Sequence, residues 1–272
     1  MRRPLILLST VVLAVALLVV NVTWWMDSEV IDEEAFVASA VVVFNQPSSR
    51  EAIATIVVER LVDEIRVLML VDDLLIDVFS ELLGTPQLQD VLVLVSEELH
   101  QRMVNGEVGP VVIDLEPYRE TLLAPVEAIS PELADSVPES WFHEVEVLEE
   151  GAIPDVSAVA GKSLSVAMAA AAIATALVGL ILAAANRWVA RLGAIGTSFL
   201  VAGGLSALAV PAGADTAEAV AAGTSRGVLI SNLYTELTNT LTARSLILLL
   251  VGVALIGAAS ILWSARTSTR SL

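Results

Sequence analysis

Glu97 and His100 stand three residues apart, the spacing with which bundle helices present a carboxylate and an imidazole to one metal ion. Such centres draw a second Glu-x-x-His pair and further glutamates from facing helices, and the only other histidine is His143. The pair is therefore expected on a solvated helix face. Asp72, Asp73 and Asp77 form one oxygen-rich cluster, and Glu29, Asp32, Glu33 and Glu34 another. Neither has the Asp-x-Asp-x-Asp-Gly spacing that wraps a loop around calcium, so the expectation is screened surface charge with at most weak divalent cation binding. Gly161-Lys162-Ser163 ends like a phosphate-binding loop, yet Val156 stands where the first glycine of that loop belongs and a long apolar run follows. A nucleophilic serine needs a histidine and an acid beside it. Neither histidine lies in an apolar run, which excludes an intramembrane protease of the Ser-His type. No catalytic, cofactor-binding or metal-ligating residue is expected, and the chain is read as no enzyme.

These side chains have to be positioned by a chain of 272 residues that is 56 % hydrophobic. Soluble domains are usually about 45–50 % apolar, so a bilayer must supply much of the solvent. A spanning helix needs roughly 20 mainly apolar residues. Four uncharged runs satisfy this: 4–25, 163–185, 192–211 and 245–263. None contains Asp, Glu, Lys, Arg or His, the side chains that a proton relay or ion-coupled pathway would place in the membrane.

Orientation follows from the cations flanking short segments. Arg2 and Arg3, Arg187 and Arg191, and Arg266 and Arg270 occupy segments free of acids, whereas 29 of the 32 acidic residues fall between 27 and 155, against five arginines. The acidic segment is thus expected outside the cell membrane and both termini in the cytoplasm. The first run could instead be a cleaved signal peptide. Its length, and the lack of a small-x-small site around Asn21-Val22-Thr23-Trp24-Trp25, favour an uncleaved anchor. That placement buries the Asn21-Val22-Thr23 sequon in the span. Trp24 and Trp25 would then mark the outer interface, and Trp188 and Trp263 the inner one.

Three parts are expected: an N-terminal anchor over 1–26, an acidic extracytoplasmic helical domain over 27–160, and a three-helix membrane domain over 161–272 with an outer segment at 212–244. In the acidic domain, 31–44 reads as a helix with acids in its first turn, where the helix dipole favours them. Ser48-Ser49-Arg50-Glu51 reads as a capping box opening a second helix. Residues 74–83 form another helix, and Thr85-Pro86 opens one that runs to about 104, before Asn105-Gly106. Residues 111–115 and 144–148 read as short strands enclosing a helix over 118–129, a small strand pair closing the domain. In the second span Ala167, Ala171, Thr175, Gly179 and Ala183 recur every fourth residue, a groove for close helix approach within the chain or between copies. The 212–244 segment, with Arg226 and Glu236, reads as a helical extension of the fourth span.

No cysteine is present, which removes disulfides, thiol chemistry and Cys-ligated metals, and Lys162 is the only lysine. This composition fits a high-salt habitat and a high-GC genome alike. A net charge of −18 opposes nucleic-acid binding.

The stretch from Asp27-Ser28-Glu29-Val30-Ile31-Asp32-Glu33-Glu34-Ala35-Phe36-Val37 to Gln46-Pro47-Ser48-Ser49-Arg50-Glu51, with Val112-Ile113-Asp114-Leu115 and Ile153-Pro154 as later landmarks, resembles a group of uncharacterised prokaryotic membrane proteins of actinobacterial type. That resemblance implies an N-terminal anchor, a helical outer domain and three closing spans. It implies no activity, and the acidity of this chain departs from the group.

The fold expected is a mainly α membrane protein of four transmembrane helices and an extracytoplasmic helical domain with a small strand pair. The function expected is that of a non-enzymatic envelope protein whose outer domain mediates protein, cell-surface or signal interaction, as scaffold, accessory or sensor. The alternative is an oligomeric channel or transporter subunit with an acidic, cation-attracting vestibule. Its pore would have to be lined by Ser9, Thr10, Thr175, Thr197, Ser198 and Ser206. The partners expected are the lipid bilayer and either a protein partner or further copies of the chain.

Overall fold

The computed structural model describes residues 2–107, 111–143, 145–148, 156–221 and 224–268. The landmark Ile153-Pro154, Glu144 at the head of the second expected strand, and Arg270 lie outside the described residues. Helix α1 (Arg2–Trp25) runs into a π-helical turn, Met26–Ile31. Then follow α2 (Glu33–Phe44), α3 (Pro47–Glu64), α4 (Asp72–Leu82) and α5 (Pro86–Asn105). The strand β1 (Val111–Ile113), α6 (Arg119–Ile129), α7 (Pro131–Asp135), the strand β2 (Val145–Leu148) and α8 (Ser157–Ala160) come next. The chain closes with α9 (Ser163–Ala184), α10 (Trp188–Ala221) and α11 (Ser225–Ser268). The chain is mainly α-helical, and four helices (Pro4–Ile31, Ser163–Ala184, Trp188–Asp215 and Ser225–Ser264) are long and apolar enough to cross a membrane.

Two compact units emerge, one of residues 1–30, 161–215 and 237–272, the other of residues 31–160 and 216–236. The segment 216–236, read from the sequence as part of the membrane domain, packs with the acidic unit. Of the 212–244 region, residues 212–221 belong to α10 and residues 225–244 to α11, one continuous helix of 44 residues. At about 1.5 Å per residue it is roughly twice as long as a bilayer requires.

In the apolar unit α1 packs on α9, with Leu13, Ala16, Ala174 and Ile181 buried there. The expected four-residue ladder is only partly used. Ala167 is buried, while Ala171, Thr175, Gly179 and Ala183 are exposed, and a Cβ built at Gly179 meets nothing within 4 Å. The packed stripe lies beside it, through Ala170 and Ala174. The close approach occurs instead between α10 and α11. A Cβ at Gly203 would lie 2.8 Å from the Ser245 carbonyl oxygen, and one at Gly252 would lie 2.8 Å from both the Gly196 carbonyl oxygen and the Leu200 amide nitrogen. Polar bonds join these helices to α1: buried Asn21 donates to Ser206 Oγ at 3.1 Å and Ser245 Oγ at 3.4 Å, and Ser198 donates to the Thr10 carbonyl at 2.8 Å.

In the acidic unit the core gathers Val58, Leu61, Leu75, Phe79, Val126 and Phe142 with their neighbours. Asp32 caps α2, its carboxylate accepting the Ala35 amide at 2.9 Å. The expected capping box is absent: α3 begins earlier, at Pro47, with Gln46 as the cap. Proline at the first helical position fixes φ in advance and has no amide to satisfy, which moves the start ahead of Ser48. Ser48 and Ser49 instead accept from Asn232 at 3.1 and 2.9 Å. Residues 66–70 form a 3₁₀ turn that separates α3 from α4. Thr85 does cap α5 by position, but its hydroxyl donates to the Leu82 carbonyl, and Gly106 ends the helix in the left-handed conformation. β1 and β2 pair antiparallel, with Val112 opposite Glu146, a ladder too short to form a sheet layer.

Candidate functional site

The residues singled out by type do not converge. His100 is buried at 4 % exposure, its Nε2 2.9 Å from the Ile31 carbonyl and its ring centroid 5.2 Å from that of Phe36. The expectation of a solvated face is thus corrected for His100, because α2 packs over that side of α5. His143 stands elsewhere in the unit, exposed, with Nδ1 3.4 Å from the Asp114 carboxylate. Among the described residues no three His, Asp or Glu side chains gather as a metal would require. The acids have local tasks: Asp72 accepts the Asp73 amide, and Glu29 lies 3.9 Å from the Arg244 guanidinium. Ser163 donates to Asp27 at 2.6 Å, so the serine of Gly161-Lys162-Ser163 ties the start of α9 to the turn after α1.

Most of the hydroxyls that could line a pore are engaged by backbone. Thr10, Thr175 and Thr197 each donate to the carbonyl four residues earlier at 2.8, 2.9 and 2.8 Å, and Ser206 accepts from Asn21. Trp25 donates to the Leu237 carbonyl at 2.7 Å, and the Arg191 guanidinium stacks 4.7 Å from the Trp188 ring while its Nε caps the Ala185 carbonyl. These contacts fix helices and offer no reactive group.

One feature of the acidic unit could hold a ligand. An apolar cavity of about 220 Å³ lies between α3, α5, the Trp141 region and residues 226–233 of α11. Among the described residues, the ionisable ones in its wall are Arg60 and Arg226. Both arginines also line an adjoining polar cleft of about 520 Å³, together with Glu59, Asp63, Thr224 and Ser225. The Arg60 guanidinium sits 5.9 Å from the Trp141 ring, within cation–π range. Trp141 is only 7 % exposed, and its buried indole N–H meets no acceptor. The helical periodicity of α3 and α5 marks their buried faces but not a gap between them, and nothing in residues 225–236 indicates that they complete its wall.

Thr224, Ser225 and Arg226 of the cleft wall belong to a longer sequence pattern. Residues 223–227 read Gly-Thr-Ser-Arg-Gly, the spelling of a nucleophile elbow. Gly223 lies outside the described residues. An elbow sets its serine between a strand and a helix and beside a histidine. Ser225 opens α11, and neither histidine lines the cleft. No protein-family model, curated protein or solved structure matches the chain.

Proposed function

We propose that this chain is a non-catalytic protein of the cell membrane whose acidic helical unit faces the outside and recognises a ligand there, with four spanning helices as its anchor. Among the scaffold, accessory and sensor roles, the cavity between Arg60, Arg226 and Trp141 favours the sensor. A preformed apolar chamber with few polar groups is the usual shape of a small-molecule site. The orientation rests on the arginines of the short acid-free segments, Arg2, Arg3, Arg187, Arg191 and Arg266. The short pairing of β1 with β2 then closes the outer domain. A channel or transporter subunit ranks second, because the hydroxyls it would need in a pore are largely engaged by backbone or by Asn21.

The cysteine-free chain allows a clean test of sidedness. Met69→Cys, at an exposed position of the acidic unit, is expected to react with a membrane-impermeant maleimide on intact cells, and Asn186→Cys, between α9 and α10, only after permeabilisation. The opposite labelling pattern would invert the protein and remove the sensor role.

A further inference from the structure

We infer that the cavity of the acidic unit binds a single-chain amphiphile, one hydrocarbon chain ending in an anionic oxygen head. This deepens the recognition reading above and rests on it. Among the described residues, the charged groups in the cavity wall are both cationic donors. The guanidinium groups of Arg60 and Arg226 have no acceptor atom. A head that only accepts, with negative charge facing two guanidinium groups, satisfies that arrangement. A hydroxyl head would bring a donor of its own and no charge.

Position supports the same occupant. The arginines line both the apolar cavity and the polar cleft, whereas Glu59 and Asp63 line only the cleft. The boundary between hydrocarbon and water thus falls at the cations. The cavity is larger than the roughly 150 Å³ that accepts benzene and smaller than the about 300–1,000 Å³ of drug-sized pockets, which suits one flexible chain. In a chain of net charge −18, a small soluble anion meets long-range repulsion, so burial of hydrocarbon has to supply most of the affinity. Each buried methylene is worth about fourfold in affinity.

The test uses the full-length protein in phospholipid nanodiscs with a fatty acid carrying a photoactivatable group in its chain, beside the matching fatty alcohol, and maps the labelled peptides by mass spectrometry. The acid is expected to label 88–99 of α5, and excess unlabelled fatty acid is expected to remove the label. The doubly substituted Arg60→Gln, Arg226→Gln protein is expected to lose about tenfold of the acid's labelling, while the alcohol's changes by less than about twofold. Equal labelling of α5 by acid and alcohol in the unsubstituted protein would overturn the anionic head and leave the recognition reading standing. That comparison needs no variant to fold. Absence of α5 labelling by either probe would overturn both.

Discussion

The Gly252→Leu protein is expected to lose the packing of its apolar unit and to elute from size exclusion in mild detergent as aggregate or as a species melting far below the original. A Cβ at that position would sit 2.8 Å from the Gly196 carbonyl oxygen, 2.8 Å from the Leu200 amide nitrogen and 2.7 Å from Leu200 Cγ. Two of these are backbone atoms of α10 and cannot rotate aside. Overpacking a core usually costs about 1–3 kcal/mol and more where the neighbours are rigid. Within a bilayer the loss weighs further, since close van der Waals contact is a main source of helix association. Gly204→Ala, at a position where a Cβ meets nothing within 4 Å, is expected to do the reverse. Alanine exceeds glycine in helix propensity by about 1 kcal/mol, so the melting temperature holds or rises. Gly203 and Gly204 are adjacent in sequence, and Gly203→Ala faces the Ser245 carbonyl oxygen at 2.8 Å. Equal effects at the two positions would contradict the α10–α11 crossing.

Phe142→Ala is expected to be the most damaging truncation in the acidic unit. The ring is fully buried, meets Trp141 edge-on with centroids 4.9 Å apart, and carries the Arg119 guanidinium 5.5 Å from its centre. Emptying such a site costs about 3–5 kcal/mol. Against a typical domain stability of about 5–15 kcal/mol, that is a third or more of what holds a fold together. The same substitution disturbs Trp141 and with it the wall of the cavity, so cleavage within 31–160 by a brief protease pulse should rise by an order of magnitude or more while the apolar unit stays protected. An unchanged cleavage rate would mean that Phe142 is not a core residue. The Leu115 amide bond to the Phe142 carbonyl at 2.8 Å involves backbone alone and survives the substitution, which isolates the effect to the ring.

The four apolar helices were legible because hydropathy over roughly 20 residues reports directly on solvent preference. Their ends were less so. Hydropathy marks 245–263 as the fourth span, whereas α11 begins at Ser225, since a helix that leaves an apolar medium for a polar one need not stop. Proline and glycine punctuation worked at Thr85-Pro86 and Gly106, where backbone geometry is local. It misled at Ser48, because Pro47 at the first helical position prevailed over the serine. His100 was misplaced for a different reason. Its neighbours Glu97 and Glu98 suggest a wet face, and only the packing of α2 on α5 turns the imidazole inward. The small-residue ladder in α9 has a sequence signature as strong as that of Gly196, Gly203 and Gly252, which are scattered over two helices. Which stripe a helix buries depends on its neighbours rather than on its own composition. The cavity was beyond the sequence altogether, because its wall joins Arg60 of α3 to Arg226 of α11 through tertiary packing.

The most direct test of the central claim, that the acidic unit is a ligand-binding module on a membrane anchor, is native mass spectrometry of the full-length protein released in native-membrane discs. It would be run beside Ile230→Trp, which places a larger side chain in the cavity wall. A small molecule is expected bound one per chain in the original protein and absent from the filled variant, with the helical content of the two alike. The same set of bound molecules in both would contradict it, because the cavity would then hold nothing that the protein selects.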